Sequence, residues 1–191
     1  MKNIDKRAEI MQSALKLIAE RGFHKAPMSM IAEEAGVAAG TIYLYFESKD
    51  VLITELYSEL EGTLIAALQE GYSTVRPIRD RFIYLGTTLL QYFIEHPLQF
   101  RYLEQYHNSP YGVSLRRDRF MGKSAESNIF IELFEQGIAQ QVLKDLPIIA
   151  IFALAFGPLF TLARDHILGF VAADHTLIEQ IVTACWDGIR R

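Results

Sequence analysis

Apolar residues recur at spacings of three and four along almost the whole chain. Ile4, Ala8, Met11, Leu15 and Ile18 fall on one helical face. Gly22, just after Glu20-Arg21, stands where a left-handed residue ends a helix cheaply, and Phe23 follows to cover that end. Pro27 suits the first turn of a second, short helix that ends at Gly36. The stretch Ala38-Ala39-Gly40-Thr41-Ile42-Tyr43-Leu44-Tyr45-Phe46 follows with no room for a long loop, and two short helices joined by a tight glycine-containing turn make a helix-turn-helix layout. Ser48 fits the N-cap of a longer helix from about Lys49 to Gly71. From Val75 onward the pattern predicts helices near 76–94, 97–107, 122–140, 146–168 and 174–189, with 108–121 a loop or frayed segment and Gly169 to Asp174 a turn. No strand alternation persists and no repeat appears, so the expected fold is all-α.

Composition narrows this further. The 191 residues are 50% hydrophobic and 22% charged, enough apolar material for a buried core in one or two domains. A single cysteine excludes an intrachain disulfide and a Cys-rich zinc site, and it fits a reducing cytoplasm. The first residues turn directly into a charged amphipathic pattern, which is not that of a secretory signal. The net charge of −4 argues against a nonspecific nucleic-acid coat, but the charge is uneven. Residues 1–25 carry Lys2, Lys6, Arg7, Lys16, Arg21 and Lys25 against Asp5, Glu9 and Glu20, a net +3, which leaves −7 on the remainder. A mildly basic end on an acidic body is compatible with DNA binding through the first part alone.

The segment from Gly22 to Leu52 carries the most specific signal. Small Ala32 and Ala35 let two helices cross closely, Gly36 allows the sharp turn, and Val37, Ile42 and Phe46 are spaced to face a three-helix core. That leaves Ala39, Gly40, Tyr43 and Leu44 outward, on a helix suited to the major groove. Thr41, Tyr43 and Lys49 supply hydroxyls and a cation for phosphates, together with free N–H groups at helix starts, and Gly40 permits close backbone approach. Tyr43 is expected to touch DNA, while Tyr45 divides evenly between packing and contact.

Residues 8–52 resemble the DNA-binding domain of the TetR-like transcription regulators, matching their pattern at Arg21-Gly22-Phe23, Ile31-Ala32, Ala35-Gly36-Val37, Gly40-Thr41, Tyr43, Tyr45-Phe46, Lys49 and Leu52. The resemblance implies a helix-turn-helix domain at 1–47 and a helical ligand-binding and dimerisation domain at 48–191. The DNA-binding set is then Ser29, Ala38, Ala39, Gly40, Thr41, Tyr43, Leu44, Tyr45 and Lys49. Two departures bear on readout. Family members commonly carry a polar pair where this chain has Ala38-Ala39, and often His or another polar residue at Leu44. Such a surface reads thymine methyls and shape more than it forms base hydrogen bonds.

Two other classes have a sequence feature in their favour. Residues 146–163 are uncharged over eighteen positions, which reaches the threshold for a membrane-associated helical bundle. Gly157-Pro158 interrupts the run and Arg164-Asp165-His166 continues it, favouring a buried or interface helix in a protein without a membrane partner. Glu104-x-x-His107 has the spacing of a di-iron carboxylate enzyme, but no second such motif exists, and His24, His96, His166 and His175 lack partners at ligand spacing. No phosphate-cradling loop or nucleophile turn occurs, so no catalytic residue, metal or cofactor is expected. Cys185 beside Trp186 reads as a packed thiol.

The expectation is therefore a cytoplasmic, one-component transcription regulator, a repressor acting as a homodimer on a palindromic operator. Ile148, Ile151, Leu154, Ala155, Leu159 and Leu162 offer one dimer stripe, and Leu177, Ile181, Ala184 and Cys185 another. The aromatic-rich body suggests a small apolar or aromatic effector, with Phe93, Tyr106, Phe134 and Phe156 as ligand-binding candidates. Glu104, His107 and Gln136 would add polar contacts, and aromatic faces beside Glu104 favour a positively charged ligand.

Overall fold

The structure is a computed structural model that describes residues 6–120 and 128–191. Among the described residues it is helical throughout: α1 Lys6–Arg21, α2 Met28–Glu34, α3 Lys49–Gln69, α4 Ile78–Glu95, α5 Pro97–His107, α6 Pro110–Phe120, α7 Ile129–Ala139, α8 Ile148–Ile167 and α9 His175–Ile189. Extended pairing among these residues is limited to an isolated bridge, Leu143 with Arg190. The all-α class expected from the periodicity holds.

Local chemistry sets the ends. Ser48 Oγ accepts from Val51 N at 3.2 Å at the start of α3, as its N-cap position requires. Asn128 Oδ1 accepts from Phe130 N and Ile131 N and opens α7; residues 122–127 of the helix expected at 122–140 lie outside the described residues, as does Ile4. Gly36, with φ of 65°, closes α2 through Gly36 N to Glu33 O and Val37 N to Ala32 O at 3.0 and 2.9 Å, a left-handed helix stop. Gln141 closes α7 in the same way with φ of 58°, a conformation that L residues adopt at a cost.

Two expectations are corrected. Of the residues expected to form a loop or frayed segment, 108–121, Pro110–Phe120 form α6, with Pro110 at the first helical position, where a missing N–H costs nothing. The stretch Ala38–Phe46 is not an α-helix: it is a run of turns around a single 3-10 turn, Ile42–Leu44, with Leu44 N donating to Thr41 O at 3.1 Å and Phe46 N to Ile42 O at 3.0 Å.

The chain forms two compact units that do not follow chain order. Unit 1 joins the described residues up to Thr63 with His96–Ser114, and unit 2 joins Leu64–Glu95 with the described residues from Leu115. In unit 1, α1 packs on both α2 and α5, so its buried surface is wider than one stripe: Ile10, Met11, Ala14, Leu15, Leu17, Ile18 and Ala19 are all buried, while Ala8 is exposed. In unit 2, α4, α7, α8 and α9 enclose a core rich in phenylalanine. Ring centroids connect Phe156 to Phe130 at 4.8 Å, Phe152 at 5.0 Å, Phe134 at 5.8 Å and Phe82 at 5.9 Å.

Candidate functional site

The candidate reading surface is built on two anchors. Ile42 and Phe46 are fully buried, as are Ile31 and Ala32 of α2. Arg7 closes over the Phe46 ring at 5.5 Å and pairs with Glu55 at 2.7 Å, tying α1 to α3, and the Glu55 carboxylate holds its guanidinium above the ordinary arginine range. With both anchors turned inward, the residues between them must face out: Tyr43 is 56% exposed and Leu44 83%. Tyr45 is 41% exposed, so in the isolated subunit it leans outward rather than into the core. Ala38, Ala39, Gly40 and Ser29 are exposed and Thr41 is half-buried. Val37, expected inward, is only half-buried, because it follows the Gly36 stop as the last residue of the cap. A Cβ placed on Gly40 would meet nothing within 4 Å, so that position is open toward the outside.

Lys49 differs from its simplest reading as a free phosphate ligand. Its Nζ donates to the carbonyl of Phe23, and burial pulls its pKa below the ordinary lysine range. The cation therefore clamps the segment after Gly22 to the start of α3.

Helices α5 and α6 brace the same unit. Tyr102 Oη donates to Ile53 O at 2.7 Å, Gln105 Nε2 to Ala19 O at 3.2 Å, and the Tyr111 hydroxyl to the Asp50 carboxylate. Tyr106, one of the four ligand candidates, belongs here: it is buried and stacked on Tyr57 at 3.9 Å. Phe93, Phe134 and Phe156 belong to unit 2, where Phe156 touches Phe134, and Phe93 is linked to that cluster through Phe160 at 5.9 Å and Phe152. The structure therefore brings three of the four together. Glu104 and His107 fall in unit 1 with Tyr106, the His107 ring edge-on to Tyr57 at 5.7 Å.

Unit 2 contains a residue that the sequence reading passed over. Arg81 is only 2% exposed, with Nη1 on Gln136 Oε1 at 2.7 Å and Nε on Tyr72 Oη at 2.9 Å. The signal was present: Arg81 interrupts the apolar register Ile78, Phe82, Leu85 and Leu89 of α4.

The dimer stripes also divide. Ile151, Ala155 and Leu159 of α8 and Cys185 of α9 are buried within the subunit, and burial pushes the Cys185 thiol up to about 11. The outward apolar surface instead includes Ile149, Ala153 and Leu154 on α8, with Leu177, Ile181 and Ala184 on α9. Among the described helices, α8 is long and apolar enough to cross a membrane by length and composition.

Two buried anchors behind an outward-facing turn that follows α1 and α2 are an arrangement of the helix-turn-helix class. The comparisons with known proteins agree. Residues 10–56 match the model of the bacterial regulatory proteins, tetR family, and residues 77–190 match the tetracyclin repressor-like C-terminal domain. An uncharacterised HTH-type transcriptional regulator from Haemophilus influenzae is 23% identical over 98% of this chain and 97% of its own length. The solved structure of a putative TetR-family regulator from Vibrio parahaemolyticus is 31% identical, covers 98% of this chain and all of its own, and superposes with a TM-score of 0.74. A TetR-family regulator from Marinobacter aquaeolei, 22% identical over 100% of this chain and 99% of its own, shares the fold with a TM-score of 0.84. The chain belongs to the TetR family of bacterial regulatory proteins. It is a DNA-binding transcription regulator and not an enzyme, and neither the membrane nor the di-iron alternative finds support.

Proposed function

We propose that this regulator is a cytoplasmic repressor that binds a palindromic operator as a homodimer. Ser29, Ala38, Ala39, Gly40, Thr41, Tyr43, Leu44, Tyr45 and Lys49 form its DNA surface. The observation that carries this reading is the contrast within five residues, in which Ile42 and Phe46 are fully buried while Tyr43 and Leu44 stand out. In this reading residues 1–47 touch DNA, and residues 48–191 bind the effector and dimerise. The outward faces of α8 and α9 make a four-helix interface, which shields the uncharged run from water. In the binding-competent state two reading turns sit about 34–36 Å apart, one turn of DNA. A small apolar or aromatic effector in the phenylalanine-rich interior of unit 2 favours another spacing, and it releases DNA by the margin with which it prefers that second state.

The test begins with an operator selected from random DNA by the purified protein. Tyr43→Ala is expected to weaken its binding about tenfold through a lost phosphate contact while the melting temperature stays unchanged. Parental affinity for the variant would remove the assigned face. Sedimentation of the parent at micromolar concentration is expected to give twice the chain mass.

A further inference from the structure

Among the described residues of unit 2, none neutralises the charge of Arg81. A guanidinium stays protonated under any physiological condition. Here it is 2% exposed, inside a helical unit, yet the two partners it has are neutral: the Tyr72 hydroxyl on Nε and the Gln136 amide oxygen on Nη1. The Tyr72 ring adds a cation–π contact, with its centroid 5.4 Å from Cζ. Nη2 is buried and makes no hydrogen bond among the described residues, and no carboxylate of those residues lies within salt-bridge distance of the side chain. Buried charges are ordinarily paired, since an unpaired one loses its hydration with nothing to replace it.

The surroundings raise the positive potential rather than lower it. Arg81 lies in the first turns of the 18-residue α4, and long helical side chains lean back toward the N-terminus, here onto Tyr72 in the preceding segment. The unsatisfied N–H groups and the dipole of that end favour an anion. Asp80, the acid of that first turn, is turned to solvent beside Arg79 at 3.9 Å. Gln136 is itself exposed, so it can swing away and release Nη1. Nη1 and Nη2 together then present the parallel pair of donors that a carboxylate accepts in bidentate fashion. The next residue, Phe82, is fully buried with its ring 5.9 Å from that of Phe156, so the helix that carries Arg81 also contributes to the phenylalanine cluster.

We propose that unit 2 binds a ligand with a carboxylate head, anchored by Nη1 and Nη2 of Arg81, with its apolar remainder among the phenylalanines. This rests on the effector reading above and reverses the charge expected from the sequence. Glu104, which points to a cation, belongs to unit 1, whereas Arg81, buried in unit 2, is positive.

The experiment uses the full chain and three probes of one length: decanoate, decanol and decylammonium. Calorimetric titration is expected to rank decanoate about tenfold tighter than the other two. Arg81→Gln is expected to bring decanoate down to the level of decanol while leaving decanol unchanged. Arg81→Lys, which keeps the charge without the fork, is expected to fall between them. Arg81→Met is expected to melt at or above the parental temperature, because it removes an uncompensated buried charge. If decanol or decylammonium binds as tightly as decanoate, or if the preference survives in Arg81→Gln, the carboxylate anchor is overturned while the apolar-effector reading stands. If none of the three binds and Arg81→Met melts several degrees lower, Arg81 is a structural clamp between Tyr72 and Gln136, and both readings fall.

Discussion

In unit 1, Tyr102 reaches from α5 to the carbonyl of Ile53, Gln105 to that of Ala19 and Lys49 to that of Phe23. In unit 2, phenylalanine meets phenylalanine from Phe93 through Phe160, Phe152 and Phe156 to Phe82 and Phe130, and Arg81 is a buried charge. Hydrogen bonds are directional, so they fix one arrangement of the helices that carry them. Ring packing is permissive, and cores of this kind tolerate repacking if volume is kept. Under the proposed function the difference matches a division of labour: unit 1 presents Tyr43 and Leu44 at a single geometry, and unit 2 admits a guest.

The hardest test of the contrast uses two glycines. A Cβ at Gly112 would stand 2.3 Å from the carbonyl oxygen of Tyr106 and 2.5 Å from Cα of His107, both backbone atoms of α5. A Cβ at Gly86 would meet Val182 Cγ1 at 2.9 Å, the end of a side chain. Gly112→Ala is expected to cost about 3 kcal/mol or more and Gly86→Ala about 1 kcal/mol, read from urea denaturation at one protein concentration. Equal costs would mean that unit 1 yields as readily as unit 2.

A milder pair separates direction from volume. Tyr102→Phe is expected to cost about 1.5 kcal/mol and also to weaken operator binding. Phe156→Leu is expected to cost about as much, roughly 1–1.5 kcal/mol, but to leave operator affinity intact. If both variants weaken operator binding, the two interiors are not functionally distinct.

Alkali should reach unit 1 through its tyrosines. The hydrogen bond to the Asp50 carboxylate holds Tyr111 at a pKa of about 12, and burial raises Tyr102 higher still. An unfolded tyrosine titrates near 10. The raised values mean that the folded state favours the neutral phenol, so this stability is complete below pH 10 and declines as pH climbs toward 12. Tyr111→Phe should destabilise the protein at pH 9 and lose most of that penalty by pH 12, and a constant difference would dismiss the Asp50 bond as a contributor.

The smallest effect concerns two helix ends with the same geometry. Gly36 and Gln141 both sit at positive φ. Gln141→Gly is expected to stabilise by about 1 kcal/mol and Gly36→Ala to destabilise by about as much, in thermal or urea unfolding.

The helices that bury a regular stripe could be read from the sequence, and α4, α5, α8 and α9 lie within two residues of the expected limits. The α6 helix was hidden because Pro110 and Gly112 look like breakers and Arg116-Arg117-Asp118-Arg119 has no apolar period. Its glycine proves to be the close crossing with α5. The Gly36 stop and the inward anchors Ile42 and Phe46 were legible because turn chemistry and spacing are local. That the reading segment is a 3-10 turn was not, since its shape is imposed by tertiary seating and not by propensity. Nor could the sequence say that α5 joins unit 1, taking Tyr106 with it, because that pairing joins residues more than forty positions apart, Tyr102 with Ile53 and Gln105 with Ala19. Arg81 was visible as a charge in an apolar register, but that none of the described carboxylates reaches it is a property of three dimensions.

Leu44 stands 83% exposed at the tip of the reading turn. Under the proposed docking, a branched hydrocarbon against a base edge discriminates through van der Waals fit to the C5-methyl group of thymine. The same methyl occurs on 5-methylcytosine, in the same place on the groove floor. A regulator that reads methyls in this way treats a methylated cytosine as nearer to thymine than to its own parent base. Enzymatic methylation of the genome would then rewrite which operators this protein occupies, without a change of sequence and without any effector.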